Sequence, residues 1–130
     1  VLGYYAGKGK RTQFGMGAFL VGVLADESSE QLKTIAKIGT GLSDDQFREL
    51  FQRCQPLISA TAPSNYDVPK AVRPDVWVLP GLVVEIAADE LTQSPVHTAG
   101  LALRFPRLVK FRDDKNWQQS TTVGELAALA

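Results

Sequence analysis

The first third of the chain consists of short apolar runs separated by glycine and charge, the pattern of strands joined by turns. Residues 1–6 form a β-prone run, stopped by Gly7-Lys8-Gly9-Lys10-Arg11-Thr12. Residues 17–25 form a second run rich in Val, Leu and Phe, and the polar stretch 26–30 reads as the turn that joins it to a third strand. In that strand, residues 31–38, Leu32, Thr34, Ala36 and Ile38 oppose Lys33, Ile35 and Lys37. The alternation is imperfect, because Ile35 falls on the side of the two lysines. Three strands with short connections predict an antiparallel meander.

The period then changes. Phe47, Leu50, Phe51 and Cys54 are spaced i, i+3, i+4 and i+7, one stripe of a helix. Ser43 is its predicted N-cap, with Gln46 at the capping-box position and Asp44 and Asp45 set against the helix dipole. Pro56 stops it at about Gln55, because proline restricts the residue before it. Residues 56–75 hold four prolines and read as an ordered loop or long connection. Strands return at 76–79 and 82–87, flanking Pro80-Gly81, and at 101–105 and 108–112, flanking Pro106. Thr122 and Glu125 form a second capping box before a short helix over 123–130.

Three strands, a helix and more strands are the order of a mainly β OB-fold, a Greek-key barrel with one inter-strand helix and a short C-terminal helix. On pattern alone an SH3-like barrel or a generic α+β domain stays open. The 130 residues suit one domain, taken as spanning 1–130, and 45% hydrophobic with 22% charged residues excludes wholesale disorder. The chain opens at Val1 inside an apolar run, so it is read as a piece of a larger protein. No apolar run approaches the ~20 residues a membrane span needs, so no membrane partner is expected. One cysteine, Cys54, excludes an intrachain disulfide and a multi-cysteine zinc site, and no metal ligands are assigned.

Lysine plus arginine and aspartate plus glutamate each number 14, which excludes a simple polycationic coat. The basic residues are nonetheless concentrated. Residues 1–11 hold Lys8, Lys10 and Arg11 without an acid, and residues 101–112 hold Arg104, Arg107, Lys110 and Arg112 without an acid. Concentrated charge on a neutral chain suits phosphate contact at one surface. The first cluster is no Walker A loop: Arg11 follows Gly9-Lys10, and Tyr4 stands where the first glycine belongs. In an extended second cluster, Lys110 and Arg112 face one way and Val109 and Phe111 the other. Phe105, between Arg104 and Arg107, reads either as a wedge beside phosphate-binding arginines or as plain core. Glu85 reads as an outward charge or as a partner for a basic loop. His97 reads as a loop histidine with a structural hydrogen bond, and Cys54 as an inert core thiol. No complete catalytic constellation is present, and Asp89 and Glu90 form no justified carboxylate pair.

In order and at compatible spacing, several stretches resemble one family. They are Val1 to Thr12, Gly17-Ala18-Phe19-Leu20, Lys37 to Asp44, Ser94-Pro95-Val96-His97 and Leu103-Arg104-Phe105-Pro106-Arg107. They end in Arg112-Asp113-Asp114-Lys115, an RxDK motif. The chain resembles, over nearly its whole length, the C-terminal OB-fold domain of ATP-dependent DNA ligases. That resemblance implies nick sealing in three steps, with AMP moving from ATP to a lysine, then to the 5′-phosphate of the nick, before the 3′-hydroxyl displaces it. The lysine of such enzymes sits in a KxDG motif, which this chain lacks, so a nucleotidyltransferase domain is expected upstream. Carried over, Arg112 and Lys115 contact the β- and γ-phosphates of ATP, with Lys110 adding to the field. Lys8, Lys10, Arg11, Arg104, Phe105 and Arg107 meet nicked duplex DNA. Mg²⁺ is expected mainly on the upstream domain, and an intracellular location follows, in the cytoplasm and nucleoid or the nucleus. A stand-alone single-strand-binding module, or the OB domain of an RNA ligase or capping enzyme, is the alternative.

Overall fold

The computed structural model describes residues 1–7, 16–26, 28, 30–39 and 42–129. In chain order the strands are β1 (Gly3–Tyr5), β2 (Ala18–Leu24), β3 (Leu32–Ile38), β4 (Ile58–Ser59), β5 (Tyr66–Asp67), β6 (Val76–Val78), β7 (Val84–Ala87), β8 (Glu90–Gln93), β9 (Leu101–Arg104) and β10 (Arg107–Phe111). Helix α1 (Asp44–Cys54) lies between β3 and β4, and α2 (Val123–Leu129) follows β10.

The predicted meander is present: β1 pairs antiparallel with β2, and β2 with β3. The full sheet runs β4-β6-β1-β2-β3-β5, and two ribbons, β7–β10 and β8–β9, complete the architecture. This curled sheet with its inter-strand helix is the OB-fold that the element order predicts. Phe19, Val21 and Val23 of β2 face one buried cluster and Ala18, Leu20 and Leu24 the other, so the middle strand is buried on both faces.

The irregular alternation of β3 has a structural cause. Val21 pairs with Ala36 and Gly22 with Thr34, which leaves Ile35 as the extra residue of a β-bulge. Ile35 and Ala36 thereby enter the same cluster as Ile38, and the lysines keep the more open positions. Helix α1 starts as predicted. Gln46 N–H donates to Ser43 Oγ at 3.2 Å, and Ser43 N–H donates to Gln46 Oε1 at 2.9 Å. Its stripe of Phe47, Leu50 and Cys54 is buried, and Phe51 meets Tyr4 edge-on at 5.9 Å between ring centroids.

The structure adds to the sequence reading at three points and corrects it at one. The connection 56–75 carries two 3₁₀ turns, Gln55–Leu57 and Lys70–Val72, and two edge strands too short to show a period. The turn predicted at Pro80-Gly81 is present, and the strands on either side of it enter different sheets. Strand β8 was not anticipated, because its residues are mostly exposed and carry no apolar alternation. Val109 does not share burial with Phe111. It is the extra residue of a second bulge, between Leu108↔Ile86 and Lys110↔Glu85, and it is exposed.

A candidate phosphate and nucleic-acid contact surface

The second basic cluster forms the end of β9, the turn after it and β10. Phe105 sits at the tip with a φ of 52°, in the left-handed region that a bulky side chain rarely adopts. Pro106 adds to the constraint, because a residue before proline favours extended backbone. The Phe105 ring is 64% exposed, the most exposed large hydrophobic side chain among the described residues. The core reading of Phe105 is therefore excluded. Its neighbours hold the turn. Arg107 Nη1 donates to Phe105 O at 3.2 Å, Asp89 N–H donates to Arg104 O at 2.9 Å, and the Arg104 guanidinium lies 5.3 Å from the Phe105 ring centroid.

Each arginine of this tip meets a carboxylate. Arg104 Nη1 donates to Glu90 Oε1 at 2.7 Å, and Arg107 Nη1 to Asp89 Oδ1 at 3.0 Å. Asp89 and Glu90 thus pair with cations, a role that chain order alone did not disclose.

The RxDK turn follows β10. Arg112 Nε and Nη2 donate to the two oxygens of Asp114, each at 3.0 Å, and Nη1 donates to Glu85 Oε1 at 3.0 Å. Of the two readings of Glu85, the structure selects the partner of a basic loop. Hydrogen bonds from Arg112 hold the Asp114 carboxyl down at about 2. The Lys115 backbone N–H donates to Arg112 O at 3.2 Å, which closes the turn, and the side chains of Lys110 and Lys115 are exposed. Beside this turn lies a cleft of about 330 Å³ between β2, β3 and β7. Its lining passes from apolar Val21, Val23, Ile35 and Ile86 to charged Glu85, Arg112 and Lys115.

Arg53 of α1 is the residue that sequence reasoning missed. Its Nη1 and Nη2 donate to the two oxygens of Asp113 at 2.6 and 3.3 Å, its Nε to Glu49 at 2.7 Å, and its guanidinium stacks 4.3 Å from the Phe111 ring centroid. The turn is therefore tied to α1 through Asp113 and to β7 through Arg112. The Glu49–Arg53 spacing of i, i+4 was visible in the sequence, but the reach to Asp113 was not.

Lys8, Lys10 and Arg11 lie outside the described residues. His97 Nδ1 is 3.2 Å from Thr34 Oγ1, the structural bond expected of it, and burial lowers its pKa. Cys54 is buried, and burial pushes its thiol up to about 11. Among the described residues no helix is long and apolar enough to cross a membrane.

A family profile described as the ATP dependent DNA ligase C terminal region matches residues 12–115. This chain belongs to that family. Ligase relatives align over almost all of it. A probable DNA ligase of Dictyoglomus turgidum is 45% identical over 99% of the chain, and a DNA ligase of Ignicoccus hospitalis is 40% identical over 99%. The chain spans 23% of the length of each. Among solved structures, the ligase domain of LigD from M. tuberculosis superposes with a TM-score of 0.71 at 27% identity. That match covers 93% of this chain and 36% of the other. A mycobacterial DNA ligase D complexed with ATP and MES gives a TM-score of 0.67 at 26% identity, over 94% of this chain and 36% of the other. The profile match ends at Lys115, the last residue of the RxDK turn described above.

Proposed function

We propose that this chain serves two steps of an ATP-dependent DNA ligase whose nucleotidyltransferase domain lies upstream. In the first, a lysine of that domain attacks the α-phosphorus of ATP. A P–N bond forms, the bond to the bridging oxygen breaks, and pyrophosphate leaves. Arg112 and Lys115, with Lys110 beside them, meet the β- and γ-phosphates and stabilise the charge that gathers on the leaving group. The exposed lysines and the fixed Arg112 guanidinium suit a polyphosphate. Mg²⁺ is assigned to the upstream domain. The described residues hold no cluster of three or more His, Cys, Asp or Glu side chains able to bind a metal.

In the second step the domain clamps a nicked duplex. Arg104 and Arg107 meet backbone phosphates, Phe105 enters the minor groove, and Lys8, Lys10 and Arg11 add phosphate contacts. Shape and charge, with no base-edge donors required, suit a substrate read without sequence preference. The observation that carries this reading is the exposed Phe105 ring, held in a strained backbone between two arginines. Strain of this kind concentrates at functional sites. Such an enzyme works inside the cell, where its DNA is.

Self-adenylation with ATP labelled on the α-phosphate tests the first step. Label is expected on the full-length protein, on neither Arg112→Ala nor Lys115→Ala, and not on the 130-residue chain alone. Full labelling of both variants overturns the assignment. For the second step, Phe105→Ala is expected to weaken nicked-duplex binding by about 1–3 kcal/mol while adenylation persists. A preference for single strands over the nick favours a plain binding module.

A further inference from the structure

Of the arginines given to phosphate above, the three among the described residues are all occupied by carboxylates, and one short stretch of chain supplies a carboxylate to each. Glu85 on β7 takes Arg112 Nη1 at 3.0 Å. Asp89, in the bend after β7, takes Arg107 Nη1 at 3.0 Å, and Glu90, opening β8, takes Arg104 Nη1 at 2.7 Å. A carboxylate and a phosphate ask the same planar donors of a guanidinium, so the two compete for one position. The side chains of the outer two pairs are all half or more exposed, and pairs of that kind contribute little to stability. Asp89 and Glu90 therefore add little to the stability of the fold, while they do set the charge of the surface.

Arg112 shows a division of labour. Asp114 grips it through Nε and Nη2, the side-on edge of the guanidinium, whereas Glu85 holds Nη1 alone. A phosphate can replace the single bond of Glu85 and leave the two-bond grip of Asp114 intact. Glu85 is the exchangeable partner.

We propose that Glu85, Asp89 and Glu90 are positioning residues that stand in for substrate phosphates, holding Arg112, Arg107 and Arg104 in place and weakening both surfaces' grip on their ligands. The proposal rests on the phosphate-contact reading above. Binding becomes an exchange: each phosphate gained releases a carboxylate to water, and each carboxylate that returns helps the phosphate leave. A domain that must let go of ATP phosphates before it takes up DNA, and of DNA afterwards, needs contacts that reverse.

The test uses the full-length ligase with Glu85→Gln and with the pair Asp89→Asn and Glu90→Gln. The pair is expected to bind nicked duplex about threefold to tenfold more tightly, with slower dissociation and an unchanged KM for ATP in self-adenylation. Glu85→Gln is expected to lower that KM about threefold, with duplex affinity unchanged. Unchanged or weaker duplex binding by the pair at a wild-type melting midpoint overturns the proposal. If the paired variant melts early, the single variants decide by the same criterion. An unchanged or raised KM in Glu85→Gln overturns it for the ATP surface. Arg104→Ala with Arg107→Ala separates the two levels. If that variant binds nicks normally, the phosphate reading falls and takes the proposal with it. If it binds poorly while neutralising the acids gains nothing, the proposal alone falls.

Discussion

In the proposed function, Phe105 concentrates a conflict between stability and use. Its φ of 52° costs a non-glycine residue about 1–2 kcal/mol, and its ring gains little from burial. Phe105→Gly removes the strain but adds freedom to the unfolded chain. The expected net gain is about 0.5–1 kcal/mol in urea unfolding, alongside weakened nick binding. A variant that is both less stable and undiminished in binding contradicts this account. His97 makes a different statement at the same scale. Its pKa lies below the ordinary 6.5 because burial disfavours the charged ring. The unfolded chain therefore binds a proton first as pH falls, and the stability held above pH 6.5 declines from there down to the folded value. Urea midpoints at pH 7.5 and 5.5 should differ for the wild type and differ less for His97→Gln. The sequence placed His97 in a loop with one hydrogen bond, and that was legible. That the partner is Thr34, on β3, was not, because nothing local links the two.

Among the elements, α1 was readable to the residue at its start and to within one residue at its end, since its capping box and apolar stripe are local signals. The meander was readable for a similar reason: neighbouring strands pair with their neighbours. Strands β4, β5 and β8 were not, because two-residue edges and exposed ribbons have no apolar period to read. Strand β3 lies between these cases. Its broken alternation was visible, and the bulge explains it. Ile35 occupies a buried position despite its parity with the lysines. Ile35→Ala should therefore cost about 2–4 kcal/mol in urea unfolding, as a core truncation does. A cost under 0.5 kcal/mol, typical of the surface position that strict alternation assigns, refutes the bulge.

For the molecule as a whole, net neutrality takes on a meaning that composition alone could not supply. Linear clustering showed residues 101–112 as basic and free of acid. Folding brings Glu85, Asp89 and Glu90 across to three of those four cations. Cross-strand charge pairing depends on which ribbons meet, and that is set by topology. The same topology squeezes β1 between β2 and β6, where a Cβ at Gly3 would lie 2.6 Å from both Pro74 Cγ and Val76 O. Gly3→Ala is expected to cost about 1–3 kcal/mol, read as a lowered melting midpoint, because the backbone oxygen cannot yield as a side-chain tip can.

The two bulges bear on how the chain tolerates changes of length. Removing one residue from a regular strand inverts every side chain beyond the cut. At Ile35 or Val109 the removal instead restores an even ladder and leaves the pairing on either side in step. Where related ligases differ in length within these strands, the gap belongs at those two positions, and a gap placed elsewhere in β3 or β10 marks a misalignment.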